Sequence, residues 1–119
     1  NRKELDVMDD QYGSPTYAPG LARAVMSLLK HGICGCEIYH FADKGVVSRY
    51  EFAKEIFDMA GMSVTVNPIP SSLYPTQAPR PEYSALDTTK IEGTGIDVPN
   101  WKDELAVCIG ELRREHYIV

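Results

Sequence analysis

The densest run of chemically capable residues is A-P-R-P-E-Y-S-A-L-D, residues 78–87. Arg80 stands between Pro79 and Pro81. Each proline fixes its own φ and restricts the residue before it, so Arg80 is held nearly extended. A guanidinium pre-set in this way suits phosphate, because its fork of N–H donors meets two oxygens at once. The same side chain could instead pair with a local carboxylate, Glu82 or Asp87, and the residues alone leave the two readings even. A second set lies in D-D-Q-Y-G-S-P-T-Y, residues 9–17. Gln11, Ser14, Thr16 and Tyr17 offer neutral donors and acceptors on a tight backbone. Such groups suit sugar hydroxyls or the edge of a nucleobase; loops of this composition also serve simply as turns.

Three other constellations carry less. His31, Cys34, Cys36 and His40 fall within ten residues, and zinc takes four such ligands. The spacing H-x-x-C-x-C-x-x-x-H matches no paired-knuckle pattern, and buried thiols beside a helix-end histidine explain it better. Tyr50 and Lys54 spell Y-x-x-x-K on one helix face, the pair with which short-chain dehydrogenases deliver a proton. No dinucleotide fold precedes them, and Ser48 with Glu51 already explains the segment as a helix start. Gly93-Thr94-Gly95 is a piece of a phosphate-cradling loop, but it follows a helix where such a loop follows a strand. No complete glycine-rich nucleotide motif occurs.

These residues need elements to position them. Leu5–Met8 has the composition of a short strand, and residues 9–20 read as loop. The spacing of Leu21, Val25, Leu28 and Leu29 predicts a helix over 21–31 with Gly32 ending it. Glu37–Phe41 has strand composition. Ser48 and Glu51 form a capping box ahead of a helix that places Ala53, Ile56, Phe57 and Ala60 on one stripe and stops at Gly61. Residues 64–70 form a strand that ends at proline. Five prolines between 67 and 82 stiffen the loop that follows. Asp87 or Thr88 caps a short helix through Ile91. Asn100 caps the last one, whose face carries Trp101, Leu105, Cys108, Ile109 and Leu112. Few strands alternate with three main helices, so the expected class is a small α/β lobe rather than a complete doubly wound domain.

Composition sets outer limits. The 119 residues are 44% hydrophobic and 24% charged, in the ordinary globular range. A net charge of −5 argues against nucleic acid or an anionic membrane surface as a partner. No apolar run approaches the roughly 20 residues needed to span a bilayer. Three cysteines, an odd count, point to reduced thiols and a cytoplasmic setting. The chain begins with Asn1, so it is read as a piece of something longer.

Taken in order, D-D-Q-Y-G-S-P-T-Y-A-P-G-L-A-R-A-V, I-Y-H-F-A-D-K-G-V-V-S-R-Y-E-F-A-K-E-I-F and V-N-P-I-P-S-S-L-Y-P-T-Q-A-P-R-P-E-Y-S-A-L-D-T-T-K-I closely resemble the dTDP-4-dehydrorhamnose reductase family, extended short-chain dehydrogenase/reductases. The resemblance runs to about Arg114. It implies that residues 1–119 form a single substrate-binding lobe, the C-terminal portion of a Rossmann-type reductase, with the dinucleotide-binding region absent from this chain. It also implies no cofactor-binding or catalytic residue here, since the family's glycine-rich loop and Thr/Tyr/Lys set lie upstream. The family reduces the 4-keto group of dTDP-4-dehydro-6-deoxy-L-mannose with NADPH or NADH, giving dTDP-L-rhamnose for polysaccharide biosynthesis, often with magnesium. By resemblance Arg80 sits near the nucleotide-sugar, and Gln11, Ser14 and Thr16 line the substrate side. Tyr50–Lys54 falls in the family's capped-helix segment and not at its catalytic pair. Some relatives are instead non-catalytic binding subunits, such as the regulatory subunit of methionine adenosyltransferase. The expected partner is a dTDP-sugar, and a lobe cut from its sheet is expected to self-associate into a homo-oligomer. The final helix is expected to run on through R-R-E-H-Y-I-V, past the family's usual end.

Overall fold

A computed structural model describes residues 3–32, 35–74 and 76–118. The backbone is α/β, with short strands and three long helices. Strand β1 (Glu4–Met8) pairs in parallel with β4 (Thr65–Ile69), in a register running from Glu4 opposite Thr65 to Met8 opposite Ile69. Pro68 lies inside β4 opposite Val7. Because β4 has no second strand partner among the described residues, the missing N–H of proline breaks no ladder. A parallel pair needs a long crossover, and two helices supply it: α1 (Ala18–Lys30) and α2 (Arg49–Ala60).

Helix α2 begins at Ser48, which supplies one of the two bonds of a capping box. The Ser48 hydroxyl accepts from the Glu51 backbone N–H at 3.1 Å and donates to the Glu51 carboxylate at 3.3 Å. It ends at Gly61 in the left-handed region, φ 70°, where a Cβ would cost strain. Helix α4 (Trp101–Arg114) starts at Asn100, whose side chain accepts from the Lys102 N–H at 2.9 Å. The two helices meet in one hydrophobic cluster of Val47, Ala60, Trp101, Leu105 and Ile109. The Phe52 and Trp101 rings meet edge to face within it, 5.8 Å between centroids. A second cluster joins Ala24 of α1 to Ile91 of the short α3 (Thr89–Glu92) and to Ile96 and Val98.

Four expectations need correction. Helix α1 starts at Ala18, three residues before Leu21, with Pro19 in its first turn, where a proline gives up nothing. Its buried residues are Gly20 and Ala24, and of the expected stripe Leu28 alone packs on the second cluster; Leu21, Val25 and Leu29 are 40%, 48% and 65% exposed. Residues 37–41 form no strand, because no neighbouring strand among the described residues completes a ladder for them. Tyr39 and Phe41 pack on the second cluster, and Lys90 pins the segment by donating to Glu37 at 2.6 Å and to the Ile38 carbonyl at 2.8 Å. Finally, α4 stops at Arg114 and turns through His116 at φ 64°, so Ile118 folds back onto the first cluster.

The radius of gyration is 16.7 Å, against roughly 13–14 Å for a compact chain of this length. Extents of 50 × 37 × 21 Å describe a flattened body. Its apolar surface includes Leu21, Val25, Met26 and Leu29 along α1.

Candidate functional site

Residues 9–17 do more than turn the chain. Tyr12–Gly13 form a two-residue strand, β2, antiparallel to β3 (Val47–Ser48), with Tyr12 opposite Ser48. On its other side Tyr12 bridges Tyr83: the Tyr12 N–H donates to the Glu82 carbonyl at 2.7 Å and the Ser84 N–H donates to the Tyr12 carbonyl at 2.9 Å. Three segments distant in sequence thus meet on one central strand. Gly13 keeps the junction open, since a Cβ there would sit 3.0 Å from the Ser84 hydroxyl and crowd it.

The junction is pinned at both ends. The Asp10 carboxylate accepts from the Ser71 N–H at 3.0 and 3.1 Å and from the Ser71 hydroxyl at 2.9 Å. This ties the start of the proline-rich loop to the start of β2. The Ser71 N–H, then its hydroxyl, hold the Asp10 carboxyl below its ordinary value. At the other end the Ser14 hydroxyl donates to the Gly45 carbonyl at 2.8 Å. The Asp43 N–H donates to the Pro15 carbonyl at 3.2 Å, and Asp43 Oδ2 accepts from the Tyr17 N–H at 3.2 Å, capping α1 from outside. Asp43 is 3% exposed and its Oδ1 has no hydrogen-bond partner among the described residues. Burial pushes this carboxyl up, against the Tyr17 N–H that favours its charged form.

These segments enclose a cavity of about 470 Å³. Gln11, Ser14, Thr16 and Arg80, the four residues singled out in the sequence, all line it. Tyr17 does not; it is the residue ahead of α1. Neither carboxylate weighed as a partner for Arg80 engages it. Asp87 accepts from the Thr89 N–H and hydroxyl at 2.9 and 2.5 Å, and no ion pair joins Arg80 to Glu82 among the described residues. Sequence reasoning missed Arg49, a second cation on the cavity wall. Its position directly after the capping serine was the available signal. The cavity floor is apolar, from Ala42, Val47 and Phe52.

The other sequence candidates stand apart. Tyr50 and Lys54 lie on α2, and neither lines the cavity. The His31 ring nitrogen Nδ1 lies 2.7 Å from the Ser27 carbonyl, Cys36 is exposed, and Cys34 falls outside the described residues. Among the described residues no three His, Cys, Asp or Glu side chains group as metal ligands. A dinucleotide pyrophosphate does not fit Gly93–Gly95. These residues close the end of α3, with the Gly93 N–H donating to the Thr89 carbonyl and the Gly95 N–H to that of Glu92. They leave no row of free N–H groups. No helix among the described residues is long and apolar enough to cross a membrane.

A cavity lined by neutral hydrogen-bonding groups and two arginines suits an anionic ligand with hydroxyl or amide edges. The RmlD substrate binding domain family matches residues 1–114. The chain is 38% identical over 104 residues to the spore coat polysaccharide biosynthesis protein SpsK of Bacillus subtilis, covering 87% of this chain and 36% of that protein. Its backbone superposes with a TM-score of 0.87 on a dTDP-4-dehydrorhamnose reductase of Clostridium acetobutylicum, at 37% identity, over 94% of this chain and 40% of the other. A dTDP-4-dehydrorhamnose reductase of Bacillus anthracis, solved in complex with NADP, gives 0.84 at 34% identity, over 93% and 38%. The chain therefore spans about two fifths or less of the length of these relatives. With the match running from residue 1 to residue 114, the chain belongs to the RmlD substrate binding domain family.

Proposed function

We propose that this chain is the substrate-side lobe of an NAD(P)H-dependent reductase that converts dTDP-4-dehydro-6-deoxy-L-mannose to dTDP-L-rhamnose. The observation that carries the reading is the convergence of Gln11, Ser14, Thr16 and Arg80 on one cavity. In this reading Arg80 holds the diphosphate, and Gln11, Ser14 and Thr16 meet the sugar or the base. In this reading the hydride donor and the proton donor belong to the remaining part of the parent protein, and Gly93–Gly95, whose N–H groups close the end of α3, do not hold the dinucleotide. A net charge of −5 fits a nucleotide-sugar partner better than nucleic acid. The odd cysteine count supports a cytoplasmic home. The exposed apolar residues of α1 support association, with the rest of the parent or between copies.

The test has two arms. The full-length protein should oxidise NADPH in the presence of the keto-sugar, and this chain alone should not; turnover by the chain alone would overturn the division of labour. In the full-length protein Arg80→Ala should weaken dTDP binding about tenfold or more, the worth of a charge-assisted hydrogen bond. Unchanged affinity would remove Arg80 from the site.

A further inference from the structure

Five arginines lie among the described residues. Arg23 pairs with Glu104 at 3.5 Å, Arg114 pairs with Glu111, and Arg113 donates to the Met59 carbonyl at 3.0 Å. The two that remain, Arg49 and Arg80, have no ion pair or side-chain hydrogen bond among the described residues, and both line the same cavity. No aspartate or glutamate lines it. In a chain with 17 acidic and 12 basic residues, a wall with two uncompensated guanidiniums and no carboxylate is a local reversal of charge. Holding two like charges on one wall costs free energy in the empty protein, and an anion between them removes that cost.

Their placement is set by backbone and not by side-chain chance. β2 is the middle strand of the three-segment junction, with β3 on one side and residues 82–84 on the other. Arg49 directly follows β3, and its own N–H donates to the Gln11 carbonyl at 3.3 Å. Arg80 enters from the opposite side, two residues before the Glu82 carbonyl that Tyr12 engages. Two ladder spacings separate the flanking backbones, roughly 10 Å. Two long side chains that line one cavity from backbones this far apart can frame a group larger than one phosphate.

We infer that Arg49 is a second anion-binding residue that acts with Arg80, one on each side of β2, so that the cavity selects a diphosphate over a monophosphate. This rests on the nucleotide-sugar reading above and adds to it a specific residue and a charge preference. Each guanidinium offers a bidentate fork to a different phosphoryl group. A monophosphate satisfies one fork and leaves the other unpaired.

The experiment is calorimetry on the full-length protein with dTDP, dTMP and thymidine, each at 50 and 200 mM salt. The unsubstituted protein should bind dTDP at least tenfold more tightly than dTMP. Arg49→Gln should lose about tenfold for dTDP, reduce the dTDP-to-dTMP ratio to within about threefold, flatten the salt dependence and leave thymidine unchanged. Arg49→Lys, which keeps the charge and loses the fork, should recover part of the dTDP affinity. Arg49 is exposed at the first turn of α2, so these variants fold. If Arg49→Gln binds dTDP within twofold of the unsubstituted protein while Arg80→Gln loses tenfold, the role of Arg49 is wrong and the nucleotide-sugar reading stands. If the unsubstituted protein shows no saturable dTDP binding, both fall.

Discussion

Two cavities in this molecule differ little in volume, about 470 and 410 Å³, and greatly in how their charge is settled. The first, at the β2 junction, carries Arg49 and Arg80 and no carboxylate. The second, between α1 and the start of α4, carries Arg23 with Asp97 and Glu104, and Arg23 meets Glu104 at 3.5 Å. Glu104 is buried, with 9% of its side chain exposed, while that of Arg23 is 65% exposed. The second cavity is a seam between packed elements whose one arginine already has its counter-charge. The first keeps its cations unanswered. Size does not separate a ligand site from a packing gap here; the presence of internal counter-charge does.

That contrast is most open to attack through the arginines. The double variant Arg49→Gln, Arg80→Gln should lose about a hundredfold in dTDP affinity, two charge-assisted contacts at roughly tenfold each. Arg23→Gln should stay within twofold. Equal losses from the two cavities, measured by calorimetry on the full-length protein, would erase the distinction.

Asp43 gives the next largest effect. It stands between the cavities, bonded through its backbone to Pro15 on one side and sensing the Glu104 carboxylate on the other. Burial raises its pKa from the ordinary 3.8, so the folded protein holds this proton more tightly than the unfolded chain. Its contribution is therefore most favourable below pH 3.8 and is lost as pH rises through the raised native value. Asp43→Asn removes the charge and keeps an acceptor for the Tyr17 N–H. At pH 7 the variant should be the more stable, because the buried site then holds a neutral amide in place of a carboxylate. The advantage should vanish near pH 3.5 in urea titrations. A destabilised Asn variant at neutral pH would mean that the free Oδ1 has a partner in solution.

Much of the fold was legible because it is written locally. Ser48 and Glu51 sit three apart, Gly61 follows the last apolar position, and Asn100 precedes Trp101; each is a contact within a few residues, and each is present. What sequence could not show is what pairs with what. The parallel register of Leu5 with Val66 joins residues sixty-one positions apart. Glu37–Phe41 has strand composition without a strand to pair with. The apolar spacing on α1 is real, yet the periodicity names a stripe and not its cover, and most of that stripe is exposed. At the site, Gln11, Ser14, Thr16 and Arg80 were found because their loops are distinctive. Arg49 was passed over because the capping box already accounted for its neighbours.

A smaller effect tests the scaffold of the first cavity. Asp10 fastens Ser71 through three hydrogen bonds, and its lowered pKa means that this support is present above the ordinary carboxylate range and lost as pH falls through the lowered native value. Asp10→Ala should free the loop that carries Arg80 and weaken dTDP about threefold, the scale of one net hydrogen bond. It should also flatten the acid limb of the stability profile. Affinity unchanged by Asp10→Ala would show that the prolines alone hold Arg80 in place.

The subtlest contrast uses one glycine from each cavity. Gly13 needs space: a Cβ there meets the Ser84 hydroxyl at 3.0 Å, with no left-handed φ to strain. Gly95, on the second cavity, needs conformation: its φ is +94°, and nothing lies within 4 Å of an added Cβ. Gly95→Ala should therefore cost about 1 kcal/mol of stability through backbone strain and leave dTDP binding alone. Gly13→Ala should do the reverse. The backbone bonds from Glu82 and Ser84 to Tyr12 hold the register, so the hydroxyl rotates away and the cavity narrows at the β2 junction. Stability should stay within about 0.5 kcal/mol, because the lost freedom of the unfolded chain offsets the crowding. Affinity for dTDP should fall about twofold. If Gly13→Ala instead unfolded the protein and left dTDP affinity intact in the folded fraction, the β2 junction would be a structural seam like its neighbour and not the wall of a binding site.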